Sequence, residues 1–187
     1  MNTIKPTSRQ AVIEAAFETF ARNPGASLAD VAARAGVGRA TLHRHFNSRD
    51  DLMAALAREA MAELDAAVDG ATADAPTHTD GLRLALAAIV PLADRQWFLA
   101  NEPVEQDPEI AAAYERDRAE LATEIEAAKS EGTFSKSVPT AWIVETYENL
   151  IYTAWKLVRE GEATPSQAAD LAWRTLTTGL QGTDIEH

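Results

Sequence analysis

Residues 27–46, SLADVAARAGVGRATLHRHF, leave the chain few ways to fold. Leu28, Val31, Ala32 and Ala35 recur at intervals of three and four, so they line the inner side of one short helix. Gly36 breaks the pattern, because glycine readily takes the left-handed conformation that ends a helix and turns the chain sharply. Val37 plugs the turn, and the segment beyond it has only Leu42 and Phe46 as large apolar anchors. Two short helices, a glycine turn between them and a sparse inward face on the second describe a helix-turn-helix unit.

The rest of the chain shares the bias to helix: alanine is abundant, β-branched runs are short, and apolar residues return at three and four. Helix starts are marked by Thr7-x-x-Gln10, Ser27-x-x-Asp30 and Ser48-x-x-Asp51, where a hydroxyl and a residue three places on satisfy free backbone N–H groups. Asp107-Pro108 and Thr164-Pro165 each set a cap before proline at the first helical position, where its missing N–H costs nothing. The spacing predicts helices over residues 8–21, 28–35 and 38–46, then a long one after Ser48 that fades into a polar loop at 69–81. Residues 82–101 read as a central helix, apolar almost all round and kinked at Pro91. An amphipathic helix over 107–132 presents Ile110, Tyr114, Leu121, Ile125 and Ala128, and two more follow near 138–160 and 165–180. The expected fold is all-α, about nine helices in total: a three-helix N-terminal domain with the helix-turn-helix, residues 1–48, and a larger helical domain, residues 49–187.

Charge sharpens the picture. The 187 residues carry a net −12, yet residues 1–49 carry +4 and the remainder −16. A basic head on an acidic body suits a polyanion that meets the head and is repelled by the rest. On the second short helix, at ~100° per residue, Leu42 and Phe46 fix the inward direction. Arg44 and Ala40 then point nearly opposite, with Thr41 and His45 on one flank and His43 on the other. Gly38 and Arg39 stand at the N-terminus, the end that enters the major groove in this motif. Gly38 and Ala40 are small enough to let the backbone approach base edges, and Arg39 is long enough to reach guanine O6 and N7. Thr41, His43, Arg44 and His45 are set for phosphates or base edges, and Arg49 begins the next helix. Ser27 and Ser48 stand at helix N-termini, whose free N–H groups attract phosphate. The expected partner is double-stranded DNA.

The first helix RQAVIEAAFETFARN, then SLADVAARAGV, then TLHRHFNSRDDL resemble the N-terminal domain of the TetR family of transcriptional regulators over residues 8–52, about a quarter of the chain. The remainder agrees in length and helix count. The resemblance implies a homodimer in which each subunit gives one recognition helix to a near-palindromic operator, with release by a small-molecule effector. It aligns Arg39, Ala40, Thr41, His43, Arg44 and His45 with the usual recognition-helix contacts, and Arg49 with a basic residue that binds phosphate. Two positions depart from the family: His43 stands where tyrosine is usual, and Arg49 where lysine is usual. Both can still donate to phosphate, His43 in a way that depends on its protonation or tautomer.

By the same resemblance the C-terminal region holds an effector pocket and the dimer interface. Trp97, Phe98, Tyr114, Trp142 and Tyr147, with Trp155, supply the large apolar surface with polar tips that such pockets use, and His78, Asn101 and Glu102 are polar candidates beside them. The helix over 138–160 is apolar on two stripes, one of Trp142, Thr146, Leu150, Thr153 and Leu157, the other of Ile143, Tyr147, Ile151, Ala154 and Val158. A helix of that kind covers both a core and a partner, and the pattern leaves open which stripe does which. Ala168, Leu171, Ala172, Thr175 and Leu176 suit close helix packing, so these residues with Leu150 and Leu157 are the expected contacts of an isologous four-helix bundle.

Other classes fit poorly. The chain has no Gly-rich phosphate loop, no nucleophile elbow and no His-x-x-x-His pair, so no catalytic residue and no cofactor is expected. With no cysteine there is no thiolate or disulfide chemistry, and His43 and His45, two apart, diverge on a helix and make no metal pair. No apolar run reaches the ~18 residues that span a bilayer. The start MNTIKPTSRQ lacks the apolar stretch of a secretory signal, so the expected location is cytoplasmic. A helical adaptor whose basic patch takes an acidic protein is the competing reading; base preference in DNA binding separates the two.

Overall fold

The structure, a computed structural model, describes residues 8–99 and 107–179, and the side chains among them except those of residues 97–99. Among the described residues the chain forms nine α-helices and no strand. They are α1 (Ser8–Arg22), α2 (Leu28–Arg34), α3 (Arg39–His45), α4 (Arg49–Thr72), α5 (His78–Ile89), α6 (Ala93–Leu99), α7 (Pro108–Glu131), α8 (Thr140–Arg159) and α9 (Pro165–Thr178), with one 3-10 turn, Val90–Leu92, between α5 and α6. The chain divides into two compact units: Met1–Glu63 with Asp94–Ala112, and Leu64–Ala93 with Ala113–His187.

In the first unit α1, α2 and α3 pack on one another. Val12, Ile13, Phe17 and Phe20 of α1, Val31 and Ala32 of α2, Leu42 and Phe46 at α3, and Leu52 and Leu56 of α4 are all buried. The local chemistry explains the short helices. Ser27 and Asp30 form a reciprocal capping box at the start of α2. Gly36, at φ +67°, ends it in the left-handed region, and the Val37 N–H returns to the Ala32 carbonyl at 3.0 Å. Leu42 and Phe46 are each 1% exposed, and burying each stabilises by about 1.5–3 kcal/mol, so two anchors suffice to hold α3. The α6 segment returns to the same unit: Gln96 is buried, with Nε2 donating to the Ala60 carbonyl at 2.9 Å, and Arg95 pairs with Glu14 while its guanidinium lies 4.8 Å from the Phe17 ring centre.

The second unit differs from expectation at two breaks. The polar loop expected over 69–81 shrinks to residues 73–77, because α4 continues to Thr72 and α5 begins at His78. Thr77 caps α5 by accepting from the Asp80 N–H, and the Glu131 carboxylate accepts from the N–H groups of His78 and Thr79, both at 2.9 Å. The helix expected over 82–101 with a kink at Pro91 is interrupted there by the 3-10 turn Val90–Leu92, because proline has no N–H and crowds the preceding turn. The Ile89 carbonyl at the break is taken by Trp155 Nε1 at 3.1 Å. Nor is that segment apolar all round in its packing: Leu82, Leu86 and Val90 are buried, whereas Arg83 and Ala87 are exposed. α8 and α9 pack along one another. Of the two stripes on α8, the one of Ile143, Tyr147, Ile151 and Ala154 is buried in the unit, and the one carrying Trp142 faces out.

Candidate nucleic-acid interface

Leu42 and Phe46 pull one side of α3 into the core, and the opposite side is left to solvent. Gly38, Arg39, Ala40, His43 and Arg44 are exposed, and Thr41 and His45 are half-buried on its flank. Gly38 is the N-cap, in extended backbone and with no side-chain cap, so the first N–H groups of α3 are covered by no capping side chain.

The charges on this face are uncommitted. Three arginines elsewhere in the same unit are paired: Arg34 with Glu18, Arg58 with Asp107 at 2.7 Å, and Arg95 with Glu14. Arg39, His43 and Arg44 pair with no carboxylate among the described residues. An unpaired guanidinium on an exposed helix is a ready donor to phosphate or to a guanine edge, whereas a paired one must first release its carboxylate. His45 differs from its neighbours: its Nε2 lies 2.7 Å from the hydroxyl of Ser8, which ties the far end of α3 to the start of α1. Beside it, the Arg9 guanidinium stands 5.5 Å from the Phe46 ring centre.

The two serines are placed unlike each other. Ser27 Oγ accepts from the Asp30 N–H at 3.3 Å and donates to Asp30 Oδ2 at 2.7 Å, so its proton is already spent on the capping box. These contacts hold the Asp30 carboxyl below its ordinary pKa, the Ser27 hydroxyl first and its N–H second. Ser48 Oγ accepts from the Asp51 N–H at 3.1 Å and is exposed. Arg49 opens α4 with its guanidinium on the protein's own backbone, donating to the carbonyls of Ala26 at 2.9 Å and Pro24 at 2.7 Å. Sequence reasoning had no signal for that contact, because it joins residues more than twenty positions apart.

Within the second unit, the described residues expected around an effector stand on different surfaces. Tyr147 is in the core, its hydroxyl donating to the Leu82 carbonyl at 2.8 Å, and burial pushes its pKa upward. Trp142, on the other side of the same helix, is 70% exposed. Tyr114 is 38% exposed on α7. Trp97 and Phe98 lie on α6 with side chains outside the described residues, and Asn101 and Glu102 are outside them altogether. His78 is exposed at the start of α5, its Nδ1 2.8 Å from Glu124. Trp155 is buried.

The outward face of α8 forms a shallow groove of about 310 Å³, lined by Trp142, Glu145, Thr146, Asn149, Leu150 and Thr153. Leu157 is half-buried near it in sequence register, and on α9 Leu171 is 42% exposed with Thr175 and Leu176 half-buried. Ala168 and Ala172 are already buried within the protomer.

Residues 12–56 match a family model described as bacterial regulatory proteins, tetR family. The chain is 29% identical over 174 residues to the HTH-type transcriptional repressor LfrR of Mycolicibacterium smegmatis, covering 92% of this chain and 90% of that protein. The crystal structure of LfrR from Mycobacterium smegmatis in complex with proflavine has a TM-score of 0.79 at 28% identity, over 94% of this chain and 97% of that one. AibR in complex with isovaleryl coenzyme A and operator DNA has a like fold, with a TM-score of 0.79 at 18% identity over 91% and 98% of the two chains.

Proposed function

We propose that this chain, a TetR-family protein by its N-terminal domain, is a transcriptional repressor that binds a near-palindromic operator as a homodimer and leaves it on binding a small molecule. The observation that carries the proposal is the outer face of α3, where Arg39, His43 and Arg44 are exposed and uncommitted on a helix held by only two anchors. In this reading residues 1–48 are the DNA-binding domain and residues 49–187 serve effector binding and dimerisation. Gly38, Arg39 and Ala40 meet base edges. Thr41, His43, Arg44 and His45 divide between bases and phosphates, and Ser27 and Ser48 stand at phosphates. Arg49 lies at the border of that surface, with its guanidinium on the protein's own carbonyls.

Dimerisation runs through the outward stripe of α8 and the exposed edge of α9, with Leu150, Leu157, Leu171, Thr175 and Leu176 meeting their symmetry mates and Ala168 and Ala172 backing them from inside. Trp142 belongs to this face rather than to an effector site, because it lines the groove beside Leu150. Trp97, Phe98 and Tyr114 are the side chains proposed to take part in effector binding. The likeness to LfrR, solved with proflavine, makes a planar aromatic cation the first effector to try, and the acidic body favours a cation over an anion. The effector acts only through different affinities for two spacings of the recognition helices, since major grooves on one DNA face recur at ~34–36 Å.

The test is selection of duplexes from a randomised pool by the purified protein, followed by titration of the winning duplex with and without proflavine. A palindromic consensus and weakened binding with proflavine are expected. Binding without base preference returns the acidic-protein adaptor, and equal affinity in both titrations removes proflavine as effector.

A further inference from the structure

Arg49 contacts parts of the chain far from it in sequence. Nη1 and Nη2 donate to the carbonyls of Ala26 and Pro24, and the guanidinium carbon lies 4.3 Å from the centre of the Phe20 ring. Phe20 is fully buried in the last turn of α1, and Pro24 and Ala26 belong to the turn between α1 and α2. Carbonyls in such a turn lack the partner that a helix interior would give them. One planar side chain at the first residue of α4 thus grips the end of α1 and the entry to α2 together.

That grip closes a frame. α3 is fixed at one end by the Gly36 turn from α2, and at the other by Phe46 and the short link into α4. Holding the start of α4 against the turn before α2 removes the remaining freedom of α3 to swing. We infer that Arg49 is a positioning residue of operator recognition, setting the attitude of α3 through this rivet instead of lending its charge to a phosphate. The inference rests on the operator-binding reading. It also explains why arginine stands here. A lysine ammonium is a compact point donor on a flexible stem; it cannot fork to two carbonyls while laying a flat cation on an aromatic face.

The test compares wild type, Arg49→Lys and Arg49→Ala, all held below their unfolding transitions. In the free protein, amide hydrogen exchange over residues 23–31 is expected to quicken in Arg49→Lys; unchanged exchange there overturns the rivet. With the duplex that wild type selects from a randomised pool, Arg49→Lys is expected to bind about tenfold more weakly although its charge is kept. Arg49→Ala is expected to lose affinity with the wild-type salt slope intact. Wild-type affinity in Arg49→Lys, or a slope smaller by about 0.9 in Arg49→Ala, assigns a phosphate contact and overturns the inference. A wild type that selects no sequence removes the operator reading and this role with it, whereas the exchange result still decides the rivet.

Discussion

Arg39 and His45 illustrate how neighbours on one short helix take different tasks. Arg39 is exposed at the first position of α3 with no acid beside it among the described residues, so its guanidinium can be laid against a guanine edge. Arg39→Ala is expected to cost about 1–3 kcal/mol of discrimination between operator variants while leaving non-specific binding nearly unchanged. Competition of the selected duplex against single-base variants measures this, and uniform weakening across variants would count against base contact. His45 is held by Ser8 at 2.7 Å, a hydrogen bond that fixes which ring nitrogen is turned to the protein and which to solvent. Ser8→Ala frees the ring and is expected to weaken binding of the selected duplex by about 1 kcal/mol. In a His45→Ala background the same substitution should have no effect on affinity. An undiminished effect there would make Ser8 a contact in its own right.

At the scale of elements, the start of α5 shows what local sequence does and does not reveal. The Glu131 carboxyl sits below its ordinary pKa because the Thr79 hydroxyl, the Thr79 N–H and the His78 N–H all donate to it. Its folded pKa is lower than its unfolded one, so its contribution to stability is present above 4.5 and fades as pH falls through the folded value. Glu131→Gln is therefore expected to melt earlier than wild type at neutral pH, with the gap narrowing in acid; a constant gap would show that the carboxylate charge is immaterial. The C-terminal half of this clamp is invisible in the sequence, since Glu131 is some fifty positions from His78. The N-terminal half is a local cap, the Thr77 hydroxyl accepting from the Asp80 N–H without the reciprocal bond that Ser27 and Asp30 make, and the surrounding polar run read as loop. Pro91 was legible as a disturbance, but the bond from Trp155 Nε1 to the nearby Ile89 carbonyl joins residues far apart in sequence, and only the fold supplies it. The helix-turn-helix was readable because Gly36, Leu42 and Phe46 act over a few residues. The twin stripes of α8 were readable too, but not which of them faces the core, because both satisfy the helical period and only packing chooses between them.

At the scale of the whole molecule, a head with net +4 attached to a remainder with −16 is a poor monomeric ligand for DNA, since the body opposes what the head gains. Pairing changes the balance: two heads tethered together make the second engagement effectively intramolecular, at a gain that needs no new contact with DNA. Trp142 is the place to separate the two effects. It is 70% exposed, so its loss leaves no cavity in the protomer, and it borders a groove on α8 whose walls it shares with Leu150 and Thr153. In an isologous contact a substitution appears twice across the two-fold axis, so a new carboxylate faces or neighbours its own copy. Trp142→Glu is expected to melt within a few degrees of monomeric wild type and to sediment as a monomer. It should bind a half-site duplex as wild type does, while losing at least about tenfold on the full palindrome. A variant that stays dimeric would move the interface off this face of α8. A monomer that still binds the palindrome at full strength would instead break the link between pairing and recognition.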